Sequence, residues 1–89
     1  MTYKIIFSEN AAKQFRKLDR YAQKQIQKYL NSNINGTINP RLHGKALLGN
    51  LKGLWRYRTG DYRVVCLIDD NVCEVLAVKV GHRNNIYLD

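Results

Sequence analysis

Two short stretches of this 89-residue chain bring together side chains able to handle a phosphate, among them four of its seven arginines and one of its two histidines. The first is Trp55-Arg56-Tyr57-Arg58-Thr59-Gly60-Asp61-Tyr62-Arg63, where arginines and tyrosines alternate at strand spacing. The second, Gly81-His82-Arg83-Asn84-Asn85-Ile86-Tyr87, follows the last apolar run. Arginine is always ionised and offers paired hydrogen bonds, so it can stabilise the charge that builds on phosphorus when a phosphodiester is cut. For the same reason it is a poor base. Histidine titrates near neutrality, which makes His82 the candidate for proton transfer. Tyr87 can stack on a nucleobase or hydrogen-bond a phosphate. In RNA the attacking oxygen can be the neighbouring 2′-hydroxyl, so such a set needs neither metal nor cofactor.

Those residues have to be positioned by one small domain. Eighty-nine residues provide a single modest core, so residues 1–89 are read as one domain. Fifteen Lys and Arg against seven Asp and Glu leave a net charge of +8, a field that favours a polyanionic partner. Residues 1–50 carry nine basic and two acidic side chains, and residues 51–89 carry six and five. The first half therefore supplies the long-range field and the second half the local chemistry. No apolar run approaches a membrane span, and Met1 to Phe7 lacks a signal-peptide layout. The expected location is cytoplasmic. Cys66 and Cys73 are then expected as buried thiols, and nothing in the spacing of Cys and His suggests zinc.

Tyr3 to Phe7 reads as a first strand. Ser8 and Asp19 are placed to cap two consecutive helices, the first burying Ala12, Phe15 and Leu18 and the second Ala22, Ile26, Tyr29 and Leu30. From Asn31 to Gly53 the punctuation is dense, which predicts an irregular connection anchored by Leu42, Leu47, Leu48 and Leu51. His43, in its glycine-rich part, is read as structural. From Leu54 on, three antiparallel strands are expected, with turns at Thr59-Gly60-Asp61 and Asp69-Asp70-Asn71. The fold class is α+β: two N-terminal helices on one face of a small, mainly antiparallel twisted sheet.

Strand parity sorts the side chains. Leu54, Arg56, Arg58, Arg63, Val65 and Leu67 share one face, while Trp55, Tyr57, Tyr62, Val64, Cys66 and Ile68 share the core face. A turn at Thr59-Gly60 would set Arg56 opposite Arg63, and one at Gly60-Asp61 would set Arg58 there. Extending an unbroken register puts Val78 opposite Arg63 and brings His82 out on the arginine face. Like charges gathered there are costly unless an anion occupies the surface. Val65, Leu67, Leu76 and Val78 add apolar area to this second face, which suggests that another chain covers part of it.

Several segments resemble the RelE-type toxins of bacterial toxin–antitoxin systems, within the RelE/ParE superfamily. They are Pro40-Arg41-Leu42-His43-Gly44-Lys45-Ala46-Leu47, Leu54 to Val65, and Val80-Gly81-His82-Arg83 with Ile86-Tyr87. The resemblance covers nearly the whole chain. It implies a microbial RNase-like fold, cleavage of mRNA in the ribosomal A site, and inhibition by a cognate antitoxin in a hetero-oligomer. It places catalysis on Arg56, Arg63, Arg83 and Tyr87, with His82 at a position that varies. Lys45, Lys52 and Arg58 would bind RNA. Well-studied members carry lysines where this chain has Leu54 and Arg56, which leaves the base to His82 or, less favoured, Lys52 or Lys45. Two alternatives stand beside this reading: a ParE-like inhibitor of DNA gyrase, and a basic module that binds RNA without cutting it.

Overall fold

The computed structural model describes residues 1–86. A first strand, β1 (Lys4–Phe7), leads into two helices, α1 (Glu9–Arg16) and α2 (Arg20–Asn33). Ser8 caps α1, its Oγ accepting from Ala11 N at 3.0 Å, and Asp19 caps α2, its Oδ1 accepting from Ala22 N at 2.7 Å. Ala22, Ile26 and Leu30 turn the buried stripe of α2 onto the sheet. In α1 the fully buried residue is Ala11, with Phe15 and Leu18 packed partly against the core; Ala12, expected there, is only half-buried.

Between α2 and the long strands the chain makes two 3-10 turns (Pro40–Leu42 and Gly49–Leu51) and a two-residue strand, β2 (Lys45–Ala46), that the sequence reading did not anticipate. The leucine anchors expected here are not all used. Leu42 and Leu48 are 69% and 82% exposed, and the segment is held instead by Ile34 and Pro40, both buried. A polar clamp adds to this: Arg41 gives Asp70 two hydrogen bonds of 3.1 Å, and the Tyr3 hydroxyl donates to the same carboxylate. The Arg41 guanidinium first, then Tyr3, hold the Asp70 carboxyl below its ordinary value.

Strands β3 (Trp55–Thr59), β4 (Tyr62–Asp69) and β5 (Glu74–His82) complete a five-stranded sheet of order β1-β5-β4-β3-β2. β1 runs parallel to β5 and the other pairs are antiparallel. The β3–β4 hairpin turns on Gly60-Asp61, so Arg58 faces Arg63 and Thr59 faces Tyr62. Gly60 has φ +59, and Asp61 is not among the positive-φ residues, which is the pattern of a II′ turn. β1 covers β5 only as far as Ala77. Beyond it α1 takes over that edge, Asn10 Nδ2 donating to Val78 O at 3.2 Å and Gln14 Oε1 accepting from Val80 N at 2.8 Å.

The core lies between the helices and one sheet face, around Ile26, Leu30, Tyr57, Val64, Cys66 and Val75. Both cysteines are free thiols; Cys66 is buried and Cys73 half-buried. Among the described residues no helix is long and apolar enough to cross a membrane.

Candidate active site

The second face of the sheet carries a straight row of side chains running across four strands. Lys45 lies opposite Arg56, Arg56 opposite Val65, and Val65 opposite Lys79. One step toward the hairpin turn, Arg58 lies opposite Arg63, and Arg63 opposite Gly81. Five cations thus share one surface, and adjacent strands set neighbouring row members about 5 Å apart at the backbone. Arg56 Nε is buried and has no hydrogen-bond partner among the described residues. A guanidinium so placed needs an acceptor that a bound anion can supply.

Lys79 belongs to this face because β5 carries a bulge. Val65 pairs with Lys79 while Cys66 pairs with Ala77, so Val78 is the extra residue. The parity of β5 changes there, which overturns the expected placement of His82. His82 pairs with Tyr62 and meets its ring edge-to-face at 5.7 Å, on the helix side of the sheet. Its Nδ1 accepts from Asn84 N at 3.2 Å, which in the neutral ring leaves the proton on Nε2. The arginine face and His82 are therefore on opposite sides.

Arg63 and Arg83 converge on the β3–β4 turn. Arg63 Nη1 donates to the carbonyls of Gly60 and Tyr62, each at 3.1 Å. Arg83 N donates to Asp61 O at 2.8 Å, and its Nε lies 3.7 Å from Asp61 Oδ1. Lys52 sits apart, in the turn before β3 and hence at the far end of that strand from Arg58. Tyr87 lies outside the described residues.

The covering of this face is partly internal. After β5 the chain turns back, Asn85 N and Ile86 N both donating to His82 O. Buried Ile86 then stands over Gly81, its Cδ1 3.5 Å from where a Cβ would be. Val65 is fully buried on the same face, whereas Leu67 is 44% exposed. The apolar area expected to need a second chain is therefore shielded in part by this chain.

Fold and cationic face together define a small basic domain of the α+β class. Over residues 5–87 the sequence matches the family described as ParE toxin of type II toxin–antitoxin system, parDE. It is 31% identical over 86 residues to Toxin RelE of Mycobacterium tuberculosis, covering 96% of this chain and 86% of that protein. The fold matches the toxin in the M. tuberculosis RelBE2 toxin–antitoxin complex with a TM-score of 0.78 at 26% identity, covering 93% of this chain and 100% of that one. The isolated E. coli RelE toxin gives 0.73 at 26% identity, covering 91% and 84%. The chain belongs to the RelE/ParE superfamily of toxins of type II toxin–antitoxin systems.

Proposed function

We propose that this toxin is a ribosome-dependent endoribonuclease that cuts mRNA in the A site and so stops translation in the cytoplasm. The observation that carries the reading is the row Lys45–Arg56–Val65–Lys79 with Arg58 and Arg63 beside it. In the reaction the 2′-oxygen attacks the adjacent phosphorus and the bond to the 5′-oxygen breaks. A 2′,3′-cyclic phosphate and a 5′-hydroxyl result. One proton leaves the 2′-hydroxyl and one reaches the departing oxygen.

Arg56, Arg63 and Arg83 hold the scissile phosphate and take up its added charge. Lys45 and Arg58 hold the neighbouring backbone, and Lys52 is an outlying contact. Proton exchange falls to the lysines of the same face, Lys79 and Lys45, because His82 points the other way. Tyr87, to which the family resemblance gives a catalytic place, orients the substrate or stacks on it. A cognate antitoxin protein silences the toxin, a reading supported by the RelBE2 toxin–antitoxin complex among the structural relatives.

A reconstituted translation system tests this. Mapping mRNA ends with and without ribosomes, beside a DNA supercoiling assay, should show codon-phased cuts that require ribosomes. Intact mRNA with blocked supercoiling would make the protein a gyrase inhibitor. Retained but uncut RNA would make it a binding module.

A further inference from the structure

β3 outruns its neighbour on the outer side. β2 pairs only Lys45 with Arg56 and Ala46 with Trp55, which leaves Tyr57 to Thr59 without a strand partner there among the described residues. Since Thr59 and Tyr62 flank a two-residue turn, the N–H and C=O of Arg58 point to this open edge. The segment leading into β2 is pressed close against it. Gly44 has φ +83, and a Cβ there would collide with the Arg56 carbonyl oxygen and the Trp55 indole nitrogen. Trp55 Nε1 donates to His43 O at 2.8 Å, which fixes the backbone from which the His43 ring projects.

That ring stands beside Tyr29 of α2, with centroids 6.4 Å apart and planes at 74°. Tyr29 in turn leans on buried Tyr57 at 6.2 Å. Between the rings and the cations lies a cavity of about 250 Å³, lined by Tyr29, His43, Gly44, Lys45, Arg56 and Arg58. It has aromatic and cationic walls and, among the described residues, no carboxylate. A nucleotide has the complementary halves, an uncharged π face and an anion. Inorganic phosphate would leave the rings unused.

We propose that this cavity is a nucleotide subsite for the RNA strand. The base packs on His43 and Tyr29, while its phosphate meets Lys45, Arg56 and Arg58. Because the two rings are nearly perpendicular, a base that stacks on one meets the edge of the other. The inference rests on the endoribonuclease reading and extends it, making His43 a base-contacting residue.

The test uses 2′-O-methyl RNA hexamers, which bind but cannot be cut through the 2′-oxygen, read by fluorescence anisotropy. Each hexamer carries one abasic position. With the unaltered protein, one abasic position should weaken binding about tenfold, the scale of a lost base–aromatic stack. His43→Ala should weaken the intact hexamer by a similar factor and be insensitive to that abasic position, and His43→Phe should restore both. Equal abasic effects in the unaltered protein and His43→Ala, or no hexamer binding at all, would overturn the subsite. Coupling between His43 and one base without mRNA cuts on ribosomes would instead remove the nuclease reading and leave the subsite standing.

Discussion

Lys79 stands directly opposite Val65, while Val78 next to it has no counterpart in β4. This one-residue offset decides which side chains of β5 share a surface with Arg56 and Arg63. Without it Val78 would take the place opposite Val65 or its neighbours, and His82 would join the cations. With it, a lysine enters the cationic row and the histidine turns toward Tyr62.

Arg83 and Asp61 allow function to be separated from stability. Their side chains are 58% and 63% exposed, and pairs so hydrated contribute little to folding. Arg83→Ala should leave the denaturation midpoint almost unchanged. Cleavage of ribosome-bound mRNA should fall by about a hundredfold, as when one donor to a developing charge is removed. Asp61→Asn should leave both nearly intact.

The Pro40 to Gly44 segment is held by a few contacts, and their loss should register in chemical denaturation. The buried Tyr57 hydroxyl donates to Pro40 O at 2.6 Å. Tyr57→Phe should therefore cost about 1–3 kcal/mol, since a buried acceptor is left unpaired. Gly44→Ala should cost more than about 1 kcal/mol, because its φ of +83 disfavours a Cβ and the space for one is already filled.

Alkaline pH should destabilise the fold through the core. Burial pushes the Cys66 thiol from 9.0 up to about 12, and burial likewise raises the Tyr57 phenol. Both groups are neutral acids whose folded-state values exceed the unfolded ones. The Cys66 contribution is complete below pH 9 and is lost between pH 9 and 12, and that of Tyr57 is lost from pH 10 upward as the unfolded chain ionises. Thermal melts over this range should show a falling midpoint, with a shallower slope in Cys66→Val. Unfolding-free alkylation at pH 8 should modify half-buried Cys73 before Cys66.

The sequence was readable wherever periodicity and local chemistry agree. Ser8 and Asp19 cap helices, Ile26 and Leu30 face the core, and Arg56, Arg58 and Arg63 share the other face, because each of these follows from spacing alone. The turn at Gly60-Asp61 was one of two registers left open, and glycine's positive φ at the first turn position selects it. His82 departs from its expected place because an unbroken register ignores the bulge in Val75-Leu76-Ala77-Val78-Lys79-Val80, whose one mark in the sequence is Lys79, a cation that strict alternation would turn into the core beside Val75 and Ala77. Leu42 and Leu48 misled for a different reason: hydrophobicity marks residues that can be buried, and the short β2 strand fixed the segment by backbone pairing instead. His43, read as structural, sits beside Gly44 and Lys45, and the structure shows a close backbone approach at the first and a cation at the second.

The most direct test of the cationic row is single-turnover cleavage of ribosome-bound mRNA by Arg56→Gln, Lys79→Gln and His82→Gln in parallel, with folding checked by circular dichroism. The row predicts that Arg56→Gln and Lys79→Gln each lose about a hundredfold or more in rate, while His82→Gln cuts close to the unaltered rate. Cutting that persists in Arg56→Gln and Lys79→Gln but disappears in His82→Gln would contradict it.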